Sequence, residues 1–238
     1  MRFTYYGMFQ GAQLKTLKNI AFIPARKGSK GFKYKNRLFF DFTADFIDSV
    51  DWIDRVIVST DDYVIEGYAK KRNYIVHQRS AELSGSTVSI KAVLENVVDE
   101  ENIKPDILVW IFYLPVLYKN KSDFDEARQI IEQEGSGSLC TFILARTHPF
   151  NCWNYDDKCR KLEQYIPNDI FRRQDLPQAW MHYHYVYCCR VKELPKLNSE
   201  LLNAHTYPLF LPRETADKLV EVDTPEDYEK WKLIADNN

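Results

Sequence analysis

Apolar positions along this chain fall into two rhythms. Continuous runs at residues 19–24 (NIAFIP), 54–59 (DRVIVS) and 106–112 (DILVWIF) predict strands buried on both faces. Between them apolar residues recur at three- and four-residue steps. Tyr63, Val64, Tyr68 and Ala69 predict a helix over 61–72, and Ile90, Val93, Leu94 and Val97 predict another over 87–100. A short strand is expected at 74–76. A third helix is expected over 122–133, with Ser122 as its N-cap. Strands alternating with helices of this length imply right-handed βαβ units, hence an α/β fold with a mostly parallel sheet covered on both faces.

The rhythm changes after residue 137. Residues 138–145 and 183–191 read as strands in hairpins, separated by a polar, aromatic-rich stretch over 148–180. The C-terminal part predicts a short strand at 219–222 and then a helix. Thr224 caps that helix and Pro225 stands at its first position. No internal repeat or low-complexity segment interrupts the pattern. Residues 1–18 read as an N-terminal extension, and 19–238 as one domain.

Composition narrows the class. Hydrophobic residues make up 45% and charged residues 28%, as in ordinary soluble globular proteins. The 32 basic and 34 acidic residues nearly cancel, which argues against a nucleic-acid binder. The N-terminus lacks a continuous apolar core. The most apolar stretch, 107–118, is too short to span a bilayer and contains Pro115. Five cysteines without a C-x-x-C pair fit free thiols, and a cytoplasmic location is expected. Cys188 and Cys189 would face opposite sides of a strand.

Against this neutral background residues 22–36 (FIPARKGSKGFKYKN) carry five cations. In an open α/β sheet the loop after the first strand lies at the ligand-binding edge, so Arg26, Ser29, Lys30, Lys35 and Asn36 would converge there. Gly28 and Gly31 allow a sharp turn that presents backbone N–H groups. Such equipment suits a polyphosphate, although neither the Walker nor the dinucleotide glycine pattern occurs. Near the other end of the chain Glu221 and Asp223, two apart on an expected strand, would point paired carboxylates one way, a donor set suited to Mg²⁺. His182 and His184 share a strand face as well. With no third ligand at suitable spacing, they read as part of an aromatic-rich core or interface.

The order A-R-x-G-S-K-G-x-x-x-K-N resembles the N-terminal signature of the acylneuraminate cytidylyltransferase family. Further stretches are similar in the same order: VIVSTD at 56–61, RSAEL at 79–83, RQDLP at 173–177 and EVDT at 221–224. The resemblance implies a Rossmann-like fold with a smaller β-hairpin-rich dimerisation extension over 146–182, and a homodimer. It also implies a transfer of CMP from CTP to a sialic-acid-like sugar acid. Arg26, Lys30 and Asp223 would be catalytic. Arg26, Ser29, Lys30, Lys35, Asn36 and Arg79 would bind the nucleotide, with Arg79 near the cytosine. Arg173, Gln174 and Tyr187 would bind the acceptor, and Glu221 and Asp223 would hold Mg²⁺.

The chain departs from the family pattern on the acceptor side. The family's L-Q-P-T-S-P-L is replaced by WIFYLPVL at 110–117, and R-P-N-G-A-I-Y by MHYHYVY at 181–187. A different sugar acid, including the eight-carbon acid of lipopolysaccharide, fits these changes. So does a catalytically weakened nucleotide-binding paralogue. An unrelated binder with a merely solvated basic loop is the remaining alternative.

Overall fold

The computed structural model describes residues 17–28 and 31–236. The strands are β1 (Asn19–Pro24), β2 (Arg55–Thr60), β3 (Ile75–Gln78), β4 (Leu108–Ile111), β5 (Ser138–Leu144), β6 (Trp153–Asp156), β7 (Lys161–Gln164), β8 (Trp180–Arg190) and β9 (Tyr207–Phe210). The helices are α1 (Lys35–Asp48), α2 (Tyr63–Lys71), α3 (Ile90–Glu100), α4 (Lys121–Glu134), α5 (Arg213–Ala216) and α6 (Pro225–Ala235). Seven strands form one sheet in the order β3-β2-β1-β4-β8-β5-β9, while β6 and β7 pair as a separate antiparallel hairpin. β3, β2, β1 and β4 are mutually parallel, β8 runs antiparallel to both β4 and β5, and β9 lies parallel to β5. The α/β class, the mostly parallel sheet and the small hairpin agree with the sequence reading.

Strand order follows from burial. Ile20, Ala21, Phe22 and Ile23 have no exposed surface, so β1 must lie inside the sheet with helices on both faces. Phe22 pairs with Ile57 on one side and Ile111 on the other. The chain leaves β1 towards β2 and β3 and returns on the far side as β4. This reversal opens a crevice at the carboxyl ends of β1 and β4. One core packs Ala21, Ile23, Trp110 and Phe112 beneath α1, α2 and α4; the other packs Ile20, Phe22 and Ile111 against α3. Cys188 belongs to the first core and Cys189 to the second, so the adjacent thiols do face opposite sides.

Three local features differ from the sequence expectation. Helix α1 went unforeseen, because its N-cap is Tyr34, in the left-handed region at φ 62°, with no capping side chain. Its buried face, Phe39, Phe40, Thr43, Ala44 and Ile47, is helical in spacing, but exposed Phe42 blurs the pattern. Asn120, and not Ser122, caps α4: its side-chain oxygen accepts the Ser122 N–H at 3.2 Å. Residues 219–222 form no strand; they make one isolated antiparallel bridge, Val116 to Glu221. At α6 the expected cap is present as a full capping box, with Thr224 and Asp227 exchanging hydrogen bonds.

Phe112, the residue after β4, is buried and stacked on Phe124 with ring centroids 5.3 Å apart. Truncating it leaves a cavity beside rigid rings. Phe112→Ala should cost about 3–5 kcal/mol in equilibrium urea unfolding.

Candidate active site

The basic loop is held by the ends of the two strands beneath it. The Ala25 N–H donates to the Ser59 carbonyl at 2.9 Å, and the Thr60 hydroxyl donates to the Ala25 carbonyl at 2.6 Å. From the first turn of α1 the Asn36 amide donates to the Arg26 carbonyl at 2.7 Å. Arg79 lies beneath, 8% exposed, with donors only 3.3 Å from the hydroxyl and the carbonyl of Ser59. Burial pulls its guanidinium down to about 10; nearby Asp61 opposes this and Arg26 adds to it. Arg79 stays charged at neutral pH and shares one corner of the crevice with Arg26. Ser29 and Lys30 lie outside the described residues.

The acidic segment enters the same crevice from the far end of the chain. The Val222 N–H donates to the Pro115 carbonyl at 2.9 Å, hooking residues 221–223 onto the loop after β4. The Lys35 ammonium sits on the Asp223 carboxylate. Gly31 packs so tightly that an added Cβ would lie 2.6 Å from the Asp223 carbonyl oxygen. Glu221 is half-buried and Asp223 exposed. Burial first, then Asp223, raises the Glu221 carboxyl above its ordinary range, and Lys35 partly offsets the rise. Expected from strand alternation, the paired carboxylates come together without a strand.

The acceptor-side candidates are dispersed. Arg173 and Gln174 lie exposed on a short 3-10 turn, Arg173–Asp175. Arg173 lines a cavity of about 470 Å³ with Arg146, His148 and Phe171. Arg146 also lines a smaller cavity of about 210 Å³ with Tyr183 and Glu221, so it stands between the two. Tyr187 is not at either surface. It is buried, and its hydroxyl donates to the Leu201 carbonyl at 2.8 Å. The apolar replacement after β4 turns inward, burying Leu114, Val116 and Leu117, while Tyr113 stacks on His184 at 4.6 Å.

Two contributors escaped the sequence reading. Arg146 has no neighbour pattern that marks it. Glu200 joins His182 and His184, its carboxylate 3.7 Å and 3.8 Å from their Nε2 atoms. The other nitrogen of His184, Nδ1, lies 3.9 Å from Glu221. Spacing along the chain offers the pair no third partner; the fold supplies one from the turn over residues 198–202.

The mostly parallel sheet that carries the basic loop and the acid pair has counterparts among solved structures. The chain shares the fold of a CMP:2-keto-3-deoxy-manno-octonic acid synthetase complexed with CTP (TM-score 0.60, 14% identity, 93% of this chain and 100% of that one). It also shares that of 2-C-methyl-D-erythritol 4-phosphate cytidylyltransferase from Francisella tularensis (TM-score 0.62, 11% identity, 91% and 99%). In sequence it is similar to the N-acylneuraminate cytidylyltransferase of Streptococcus agalactiae serotype III strain NEM316, 22% identical over 220 residues. That match takes in 89% of this chain and 52% of the relative, so the chain spans about half the length of the curated relatives it matches. No protein-family model matches it. Among the described residues no helix is long and apolar enough to cross a membrane.

The Gly31 contact predicts a steric test. Gly31→Val must push the Asp223 backbone away and should cost about 1–3 kcal/mol in equilibrium unfolding. Gly28→Ala, whose Cβ meets nothing within 4 Å, should stay within about 0.5 kcal/mol of wild type.

The raised Glu221 carboxyl predicts a pH effect. A folded state that holds this proton more tightly than the unfolded chain gains stability at low pH and loses it as the pH rises through the unfolded and then the folded value. Without divalent ions, Glu221→Gln should therefore raise the thermal midpoint at pH 7. The gain should shrink towards zero below about pH 4, where the carboxyl is protonated in both states.

Proposed function

We propose that this chain is a CTP-dependent cytidylyltransferase that joins CMP to a sialic-acid-like sugar acid and releases pyrophosphate. The observation that carries this reading is the junction of Lys35 with Asp223, where the basic loop and the acid pair meet over the reversal of the sheet. Both the sequence relatives and the fold neighbours include cytidylyltransferases, which supports CTP as the nucleotide.

Phosphoryl transfer asks chiefly for positioning and for stabilisation of charge. Arg26, Lys35 and, from the same loop, Ser29 and Lys30 would bind the triphosphate. Asn36 keeps the loop in place through the Arg26 carbonyl. Arg79, buried beside Arg26 with weak internal partners, would hydrogen-bond the cytidine. The anomeric hydroxyl would attack the α-phosphorus as the bond to the pyrophosphate oxygen breaks, and the hydroxyl's proton passes to a base. Glu221, whose carboxyl is held above its ordinary range, is a candidate for that base.

Glu221 and Asp223 suit Mg²⁺: both are oxygen donors, and a cation, Lys35, already stands against Asp223. When bound, Mg²⁺ would neutralise phosphate charge. On the acceptor side Arg146 and Arg173 offer forks for a sugar carboxylate, with Gln174 next to Arg173. The reading includes a homodimer formed through 146–182, where Trp153, Tyr155 and Phe171 are exposed.

A second reading rests on one observation. The loop after β4 buries Leu114, Val116 and Leu117 where the resemblance leads one to expect polar groups facing the ligands. A nucleotide-binding paralogue with weak turnover fits that replacement.

Pyrophosphate release with CTP, Mg²⁺ and a panel of sugar acids, eight-carbon acids included, distinguishes the readings. Turnover with one acid is expected, and Arg26→Ala and Asp223→Ala should each lower kcat by about 10²–10³-fold. CTP binding without turnover supports the paralogue. A chain without CTP affinity, or unimpaired variants, would overturn the proposal.

A further inference from the structure

Steps of two along β8 bring His182 and His184 to one face. Glu200 reaches them from the turn over residues 198–202, and that turn is firmly built. The Asn198 side-chain oxygen accepts the N–H groups of Glu200 at 3.0 Å and Leu202 at 2.9 Å. Leu201 is buried in the left-handed region at φ 62°, a conformation a leucine keeps only where its surroundings hold it. The Tyr187 hydroxyl supplies one such hold through the Leu201 carbonyl. Glu200 is thus delivered by fixed backbone.

One oxygen of Glu200 lies 3.7 Å from His182 Nε2 and 3.8 Å from His184 Nε2. These separations are too long for hydrogen bonds. They are close to the edge of about 3.4 Å that separates two ligand atoms around a tetrahedral ion bound at about 2.1 Å. The three ligand atoms all lie within 4.8 Å of one another. His184 is also held from behind, where Tyr113 stacks on its ring with centroids 4.6 Å apart.

We propose that His182, His184 and Glu200 bind a borderline divalent transition-metal ion of the zinc class. Two imidazoles and one carboxylate suit such an ion, whereas Mg²⁺ favours an all-oxygen set such as the neighbouring acid pair. Three protein ligands leave a fourth position free. His184 and Glu200 also line a cavity of about 350 Å³ with Ser89, Tyr113 and Ser199. A hydroxyl or carboxylate oxygen entering that cavity is the class of ligand the fourth position would take. The site depends on these side chains alone and not on the transfer reaction.

The test is calorimetric titration of the chelator-stripped full chain with Zn²⁺ in excess Mg²⁺. One equivalent should bind, and its cobalt(II) counterpart should show no thiolate charge-transfer band. Glu200→Gln and His182→Asn, on separate elements, should each weaken binding by at least about tenfold, and Cys159→Ser should not change it. Circular dichroism of each variant checks the fold. Absence of stoichiometric uptake, uptake that the two variants leave unchanged, or a thiolate band would overturn the proposal.

Discussion

The close approach of Gly31 to the Asp223 backbone, sealed by the Lys35–Asp223 ion contact, organises the rest of the crevice. It joins the loop after the first strand to a segment 188 residues beyond Lys35. Only a residue without a Cβ permits the approach. Once made, it sets the basic loop, the bridge from Val116 to Glu221 and the start of α6 in one place. An exposed ion pair of this kind adds little to stability. Its value lies in bringing opposite charges to one mouth of the sheet, next to Arg26 and Arg79.

The two sides of that mouth differ physically. On the side of the basic loop polar groups stay exposed or carry weak internal partners, as Arg79 does with Ser59. On the other side the loop after β4 has become part of the core, and Phe112 stacks on Phe124. Space that the resemblance would give to polar acceptor contacts is instead bordered by Tyr113 and two histidines. Tyr187, expected at the acceptor, anchors the turn that carries Glu200.

Much of the architecture could be read along the chain. Doubly buried runs such as NIAFIP have no alternative to a central parallel strand, and Thr224-Pro225 marks a helix start whatever surrounds it. Helix α1 was hidden because its first turn lacks a capping side chain and its polar face includes Phe42. The fixed order of glycines and cations in the basic loop is legible along the chain, whereas the placing of Arg146 left no local mark.

Sequence alone determined the strand–helix alternation, the charged loop and the acid pair, because each depends on residues near one another in the chain. Tertiary structure alone decided that loop and acids meet, that Tyr187 turns inward, and that Glu200 joins His182 and His184. These depend on how a twisted sheet brings distant turns together, and no short-range pattern records that geometry.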